Sequence, residues 1–255
     1  MRVHVLGHWG AYPEPGQATT GLLVETDKHR VLIDVGSGVL AQLFDICPVA
    51  DLTAVIVTHH HHDHTADLGV LGYALLLSRI TGSRTAKLPM YMLQGSPERM
   101  SELAKEPLAD VHILDANAVL DPKASIDIDG IQVSFARTAH AVPCLAVRME
   151  YQGKVFVFSA DTSYSHGVTQ LARGAHLFLC ESSMYFGQEK DAHAAGHMTA
   201  PQAGQMATEA EVKQLVLTHL PHYGNLADLV LQAATTYAGP IARAEHRMVL
   251  EVSSS

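Results

Sequence analysis

The most constraining feature of this sequence is a run of imidazole side chains that follows a short apolar segment. Residues 58–64 read Thr-His-His-His-His-Asp-His, directly after Ala54–Val57, which is typical of a strand buried on both faces. Histidine accounts for 17 of the 255 residues. Imidazoles and carboxylates are ligands of zinc. An expression tag belongs at a terminus, so this internal position favours a metal site over a tag or a solvated tract.

The spacing within the run decides which side chains can share an ion. Alternate residues of an extended segment point the same way, so His59 and His61 can bind one ion together. Asp63 and His64 begin a turn into a predicted helix and could face a second ion. The other two histidines of the run are expected to point elsewhere.

Further potential ligands follow three later predicted strands. A lone histidine is more often structural, but α/β folds build their sites at strand ends, so three such positions together indicate a site. The strands and the residues that follow them are Ile131–Ala136 with His140, Lys154–Phe158 with Asp161, and Gln214–Leu217 with His219.

The remaining pattern alternates strands and helices. Pairs of strands early in the chain and strand–helix alternation later fit a layered α/β protein with mixed sheets, and residues 1–255 are predicted to form one domain. Residues 183–195 are predicted to form a loop beside the site. The other predicted strands are Val3–Leu6, Gly21–Glu25, Arg30–Ile33, Leu88–Leu93, Val111–Leu114, Cys144–Glu150 and His176–Leu179. The predicted helices are Ala66–Ile80, Pro97–Ala104, Val168–Ala172, Ala200–Ala210 and Leu226–Tyr237.

Composition excludes several classes of protein. The net charge is −9 at pH 7, which disfavours a broad surface for extended nucleic acid. Three cysteines are too few for a disulfide framework or a four-thiolate zinc site. No signal peptide is visible, and the longest apolar run near a helix, Gly69–Leu77, is too short to span a membrane. A cytoplasmic protein without a membrane anchor is expected.

The histidine run resembles the His-x-His-x-Asp-His signature of the metallo-β-lactamase superfamily. The resemblance extends from the Gly7 turn through Asp34–Gly38 to Thr218 and His219. It implies an α/β fold, namely a four-layer αββα sandwich of two mixed β-sheets flanked by helices, with a dinuclear metal site at one edge. Two Zn²⁺ ions are the implied cofactors, although such ligands also accept manganese or iron.

The resemblance also implies a role for each ligand. Asp34 would support the histidine loop from behind. The implied ligands are His59, His61 and His140 for one ion, Asp63, His64 and His219 for the other, and Asp161 as a bridge.

Within the superfamily, the chain resembles ribonuclease Z. Four segments support this resemblance: Leu6–Gly10, Arg137–Pro143, Cys180–Ser183 and Gly196–Thr199. The third is similar to the family's His-Glu-Ala-Thr/Ser element, and the fourth is similar to its Gly-His-Ser/Met-Thr segment. The implied catalytic residues are Asp63, Glu181 and His197. Glu181 would pair with His197, which would protonate the leaving oxygen. From spacing alone, His197 could instead be a structural neighbour of the helix that begins at Ala200.

Two departures from ribonuclease Z narrow the expected substrate. Cys180 replaces the first residue of the His-Glu element, and only 21 positions separate His140 from Asp161, which leaves no room for the tRNA-gripping arm. The sequence therefore predicts a phosphodiesterase that acts on small phosphodiesters with metal-bound hydroxide as the nucleophile. A homodimer is a family-level expectation.

Two other functions stay open. A lactonase or a glyoxalase II-like thioesterase would use the same metals, because a bridging aspartate fits those branches equally well. A zinc-binding scaffold without catalysis is the third possibility. Zinc β-lactamases carry cysteine at the position of Asp161, and diiron flavoproteins carry a carboxylate at that of His61, so both are disfavoured.

Overall fold

The structure is a computed structural model that describes residues 1–94, 109–115 and 124–253, so the predicted helix at 97–104 lies outside the described residues. The described strands form two seven-stranded sheets. The first contains, in spatial order, β14 (Val249–Glu251), β1 (Arg2–Gly7), β2 (Gly21–Glu25), β3 (Arg30–Ile33), β4 (Ala54–Val57), β5 (Leu88–Leu93) and β6 (Ala109–Leu114). The second contains β13 (Ile241–Arg243), β12 (Leu215–Thr218), β11 (Leu177–Glu181), β10 (Lys154–Phe158), β9 (Leu145–Tyr151), β8 (Ile131–Arg137) and β7 (Ile126–Ile128).

Both sheets are mixed, as predicted. In the first, β14, β1, β2 and β3 pair antiparallel, and β3 to β6 run parallel. In the second, β7 to β10 pair antiparallel, and β10 to β13 run parallel. Parallel strands bring their carboxyl ends to the same edge of a sheet, which is where α/β proteins place their sites.

The described helices flank the sheets. They are α1 (Val39–Phe44), α2 (His62–Thr65), α3 (Leu68–Ile80), α4 (His166–Leu171), α5 (Glu189–Ala195), α6 (Ala200–Glu209) and α7 (Leu226–Ala233), with a short 3-10 helix at Val49–Asp51. Helix α6 begins with a capping box, in which the Thr199 side chain accepts from the backbone of Gln202 and the Gln202 side chain accepts from the Thr199 N–H. No helix of the described residues is long and apolar enough to cross a membrane.

Alternating side chains divide the interior into three apolar layers. Ala54 and Ile56 of β4 point into the core between the two sheets, whereas Val55 and Val57 pack under α1 and α3. Phe178 of β11 packs under α4, α6 and α7 in the same way. Because successive side chains alternate between the faces of a sheet, the continuous apolar runs of β4 and β11 give these two strands two apolar faces. This four-layer αββα arrangement confirms the predicted fold.

The structure adds elements that the sequence pattern does not predict. Strands β7, β13 and β14 have three residues each and lie at sheet edges, where pairing with a neighbour rather than local periodicity defines them. The predicted loop at residues 183–195 is wrong in its second half, which α5 occupies. Only Ala192 of α5 is buried, so its sequence has no apolar stripe to reveal it.

Candidate metal centre

The predicted ligands project from the carboxyl ends of strands in both sheets. His59 follows β4, His140 follows β8, Asp161 follows β10 and His219 follows β12. The two sheets are tied together at this edge, because the Leu145 N–H donates to the carbonyl of Thr58. The structure therefore brings together side chains that are up to 160 positions apart in the sequence.

The histidine run adopts the geometry that its spacing predicts. The backbone is extended at His61, immediately before α2, and the rings of His59 and His61 lie 4.8 Å apart. His60 points away from both, with its Nε2 2.8 Å from the Leu93 carbonyl oxygen. Alternation along an extended segment thus selects two of the first three histidines for the centre.

One group of potential ligands consists of three imidazoles and a carboxylate. His140 Nε2 lies 3.1 Å from His61 Nδ1 and 3.9 Å from Asp161 Oδ2. His59 Nε2 lies 3.7 Å from Asp161 Oδ2. One ligand atom from each of these four residues falls within 4.8 Å of all the others, which is close enough to surround one ion.

A second group shares Asp161 with the first. His219 Nε2 lies 3.2 Å from Asp63 Oδ2 and 3.3 Å from Asp161 Oδ2. His64 Nε2 lies 3.3 Å from Asp161 Oδ1. The ligand atoms of these four residues also lie within 4.8 Å of one another. All seven predicted ligands therefore lie in two adjacent groups joined by one carboxylate, although metal binding by them stays a prediction.

Buried atoms at the centre fit divalent cations. His59 Nε2, His64 Nε2 and Asp161 Oδ1 are buried and make no hydrogen bond within the described part of the chain. A buried polar atom without a partner is costly, and three that converge on one region call for a common partner. Since imidazole nitrogens and carboxylate oxygens are all zinc ligands, this donor set fits zinc.

The charges around the potential ligands also favour a bound cation. Burial lowers the pKa of His59 well below its ordinary value, so this imidazole is neutral and keeps a lone pair for a metal. Burial opposes the charge of His64, but the carboxylates of Asp161 and Asp34 raise the pKa of His64 well above its ordinary value. Carboxylates that favour a proton on His64 also favour a cation beside it. The centre is thus built to hold positive charge.

Outer contacts orient the ligand rings. Asp34 is fully buried and accepts from His64 Nδ1 at 2.7 Å, and it also accepts from the backbone and hydroxyl of Thr58. His140 Nδ1 donates to the carbonyl of Gly196 at 2.9 Å. With Nδ1 so engaged, Nε2 is the ring atom of both histidines that faces the centre, where a bound cation would take the place of a proton. Asp34 therefore lies where the sequence placed it, and the contact from Gly196 is an addition that the sequence did not predict.

Ser183 makes another contact of this kind, which the sequence does not predict. Its hydroxyl oxygen lies 2.9 Å from His219 Nδ1 and 2.8 Å from Glu181 Oε2. Because the carboxylate can only accept, the hydroxyl donates to Glu181 and accepts from His219. Ser183 belongs to the Cys-Glu-Ser-Ser segment, so its position in that motif was the available signal.

Glu181 and His197 form a buried pair beside the second group. His197 Nδ1 lies 2.8 Å from Glu181 Oε1, and Glu181 is fully buried. The His197 ring stacks on that of His219 at 5.2 Å and lies 5.2 Å from that of His140. Burial opposes the charge of His197, but the Glu181 carboxylate raises the pKa of His197 to about 9. The Glu181 carboxylate therefore favours the imidazolium form of His197, whose ring faces the centre.

The loop after β1 closes one side of the centre. The Ala11 N–H donates to Asp63 Oδ2, and a Cβ at Gly10 would lie 2.8 Å from His219 Cε1, so only glycine fits there. The His222 ring is sandwiched between Trp9 at 4.8 Å and Tyr12 at 3.6 Å. Tyr12 is half exposed, so an aromatic face is available to solvent at this rim.

Backbone strain is also present at this edge. Ala11, Asp34, Ala160 and His219 all have φ between 49° and 61°, the left-handed region that non-glycine residues rarely adopt. Each such residue costs about 1–3 kcal/mol and persists only where the surrounding structure holds it. Two of the four are Asp34 and the potential ligand His219, so the strain accompanies the placement of these side chains.

This fold and this cluster define a class, the metal-dependent hydrolases built on two facing mixed sheets. A family model described as "Beta-lactamase superfamily domain" matches residues 29–220. The chain belongs to the metallo-β-lactamase superfamily and is a metallo-hydrolase of that fold. It is 32% identical to the probable metallo-hydrolase YhfI of Bacillus subtilis, over 98% of this chain and all of that protein.

Solved structures and a further relative agree with this assignment. The crystal structure of YhfI matches with a TM-score of 0.91 and covers 98% of each chain. Human tRNase Z, short form, matches with a TM-score of 0.78 and covers both chains fully, and at 22% identity it shows the fold alone. Ribonuclease Z of Streptomyces avermitilis is 28% identical over 84% of this chain and 85% of that protein. These findings confirm that the chain belongs to the predicted superfamily and that ribonuclease Z proteins are among its relatives.

Proposed function

We propose that this chain is a dinuclear zinc phosphodiesterase that hydrolyses small phosphodiesters. The observation that carries the proposal is the buried Glu181–His197 pair, whose imidazolium faces two groups of potential metal ligands. Hydrolysis of a phosphodiester releases an alkoxide, which needs a proton, and the Glu181 carboxylate favours a proton on His197. The relatedness to ribonuclease Z of Streptomyces avermitilis supports a phosphodiester as the bond that is cleaved.

Each residue of the centre has a defined part in this proposal. His59, His61 and His140 would hold one ion, Asp63, His64 and His219 the other, and Asp161 would contact both. When bound, the two ions supply Lewis acidity that activates water and stabilises the phosphoryl oxygens. Asp63, which also accepts the Ala11 N–H, would help to fix the geometry of attack. His197 would donate its Nε2 proton to the leaving oxygen while Glu181 holds the ring in place.

The chain between His140 and Asp161 supports a small substrate. Strands β9 and β10 fill this interval, and only Gln152 and Gly153 connect them, both with positive φ. Such a tight hairpin carries no arm that could grip a folded RNA. With a net charge of −9, a compact diester such as a cyclic nucleotide or a short oligonucleotide is the better candidate.

Metal analysis combined with a substrate panel tests the proposal. We expect two equivalents of zinc per chain, and turnover of bis-p-nitrophenyl phosphate and of cyclic nucleotides that chelation abolishes and zinc restores. His197→Ala should keep the zinc and lose about 10²–10⁴-fold in turnover of an alkyl diester. Faster hydrolysis of lactones or glutathione thioesters than of any diester would contradict the proposal. Zinc binding without any turnover would indicate the scaffold instead.

A further inference from the structure

The loop after β1 takes part in a stack of three aromatic rings. His222 lies between Trp9 and Tyr12, with ring centroids 4.8 Å and 3.6 Å apart and interplanar angles of 16° and 7°. His222 Nδ1 lies 2.9 Å from Glu14 Oε1, and its Nε2 lies 2.9 Å from the Gly10 carbonyl oxygen, so the middle ring is held from two sides. Tyr12 is the outermost ring and is 55% exposed. One face of Tyr12 is therefore fixed by stacking, and the other is open to solvent.

The stack lies beside the potential metal ligands. The Ala11 N–H donates to Asp63 Oδ2 at 3.1 Å, and Gly10 packs so closely on the His219 ring that a Cβ would lie 2.8 Å from Cε1. Consecutive Cα atoms are about 3.8 Å apart, so the backbone of Tyr12 lies one residue beyond a contact with the centre. The left-handed φ of 61° at Ala11 turns the chain between that contact and Tyr12. The loop thus fixes the Tyr12 ring at the rim of the centre.

A nucleobase is a ligand that fits an open aromatic face at this position. In a nucleoside phosphodiester one sugar separates the base from the phosphate, so a phosphate at the two groups of ligands would bring the base to the rim. Stacking of a neutral base on an aromatic ring needs no charge on the protein, and a net charge of −9 attracts no anion to the surface outside the centre. An alkyl diester has no flat π-surface and would leave the ring uncovered. The open face of Tyr12 therefore favours nucleoside diesters over alkyl diesters.

We propose that Tyr12 is the stacking platform for the base of a nucleoside phosphodiester. This inference rests on the proposed phosphodiesterase function and narrows its substrates to diesters that carry a base one sugar away from the scissile phosphate. Every base has a π-face, so the platform should accept purines and pyrimidines alike. Tyr12 would determine specificity through binding and would take no part in proton transfer.

Binding of two monophosphates to the zinc-loaded protein tests the platform. Adenosine 5′-monophosphate carries a base and ribose 5-phosphate does not, whereas both carry the same sugar and phosphate. In isothermal titration calorimetry the first should bind about 5–150-fold more tightly than the second. Trp9 is the only tryptophan of the chain and lies beneath His222 and Tyr12 in the stack, so the first ligand should also change tryptophan fluorescence more than the second.

Three variants separate stacking from other effects. Tyr12→Leu removes the ring and should abolish the preference for the ligand with a base, whereas Tyr12→Phe keeps the ring and should retain it. Phe44→Leu is a matched control, because Phe44 is 52% exposed and lies at the last residue of α1. It should also retain the preference. All the substituted side chains are exposed, so the variants should keep the fold and its thermal stability.

Turnover of two diesters with a common leaving group extends the test. The p-nitrophenyl esters of thymidine 5′-phosphate and of methyl phosphate both release p-nitrophenolate. Tyr12→Leu should lower the ratio of their kcat/KM values by about 5–150-fold, through KM of the thymidine ester.

The outcomes distinguish this proposal from the function on which it rests. Equal affinity of the wild-type chain for the two monophosphates, or a preference that survives Tyr12→Leu, would overturn the platform even if diesters are hydrolysed. A preference that Tyr12→Leu abolishes, in a zinc-loaded protein that hydrolyses no diester, would support the platform and contradict the proposed phosphodiesterase.

Discussion

The Glu181–His197 pair gives the sharpest test of the proposed chemistry. Raising the pKa of His197 from its ordinary value of 6.5 to about 9 corresponds to about 3 kcal/mol in favour of the protonated ring. Burial works against this charge, and the carboxylate 2.8 Å away is the main cause that favours it. Glu181→Gln removes the negative charge and keeps the shape of the side chain. The pKa of His197 should then fall to its ordinary value or below.

The assay is the pH dependence of kcat. A group whose pKa is raised stays protonated up to that pKa, so an acid catalyst at position 197 is active at neutral pH and fails as the pH rises through it. In Glu181→Gln we expect the alkaline limb to move down by at least about 2.5 pH units, from about 9 to 6.5 or below. The loss at pH 8 should be large for an alkyl diester and small for a p-nitrophenyl diester, because nitrophenolate leaves without a proton.

Glu181 also has structural contacts, which the controls must separate. It accepts from the backbone N–H groups of Thr162 and Met198, so thermal stability and zinc content are measured alongside kcat. Glu209→Gln is a matched change at an exposed glutamate on α6 that bonds Tyr164, and it should leave the profile unchanged. Equal losses for both leaving groups, or an unmoved alkaline limb in a folded, zinc-loaded variant, would refute acid catalysis by His197.

Three further predictions follow from single contacts. Asp34→Asn should lower zinc affinity by about 10–100-fold in equilibrium dialysis, because an amide cannot accept every bond that the carboxylate accepts. Gly10→Ala should displace the His219 ring and lower turnover by about a hundredfold, whereas alanine at Gly69 should leave kcat unchanged. Thr199→Ala removes the cap of α6 and should cost about 1 kcal/mol in urea unfolding with the kcat profile intact.

The sequence pattern predicted a layered α/β protein and ligands at strand ends because both depend on local pattern, whereas the four-layer sandwich was implied by the resemblance to the superfamily. A β-branched run such as Ala54–Val57 is buried in any sheet, and a ligand that follows a strand lies at a known edge. The supporting contacts depend on tertiary proximity instead. The carbonyl of Gly196 orients His140, yet a backbone oxygen has no signature in a sequence. Strand β14 is defined by its pairing with β1, which is distant in the sequence. Its three residues are too few to show the alternation that predicts a strand.

Left-handed backbone and buried polar atoms without hydrogen bonds occur together at the strand ends that carry the potential ligands. Ala160 and His219 have left-handed φ, and His59 and Asp161 have buried atoms without hydrogen bonds. All four residues lie at one edge, whereas other left-handed residues, such as Gln152 and Glu211, lie in turns. Strain and missing partners both oppose folding, so their concentration has to be offset by the packed layers or by a bound ion. A purely structural edge would have no reason to keep them. Cations bound by the two groups of ligands would pair with the buried atoms directly. The geometry therefore favours a metal-binding site over a cluster of histidines with a purely structural role.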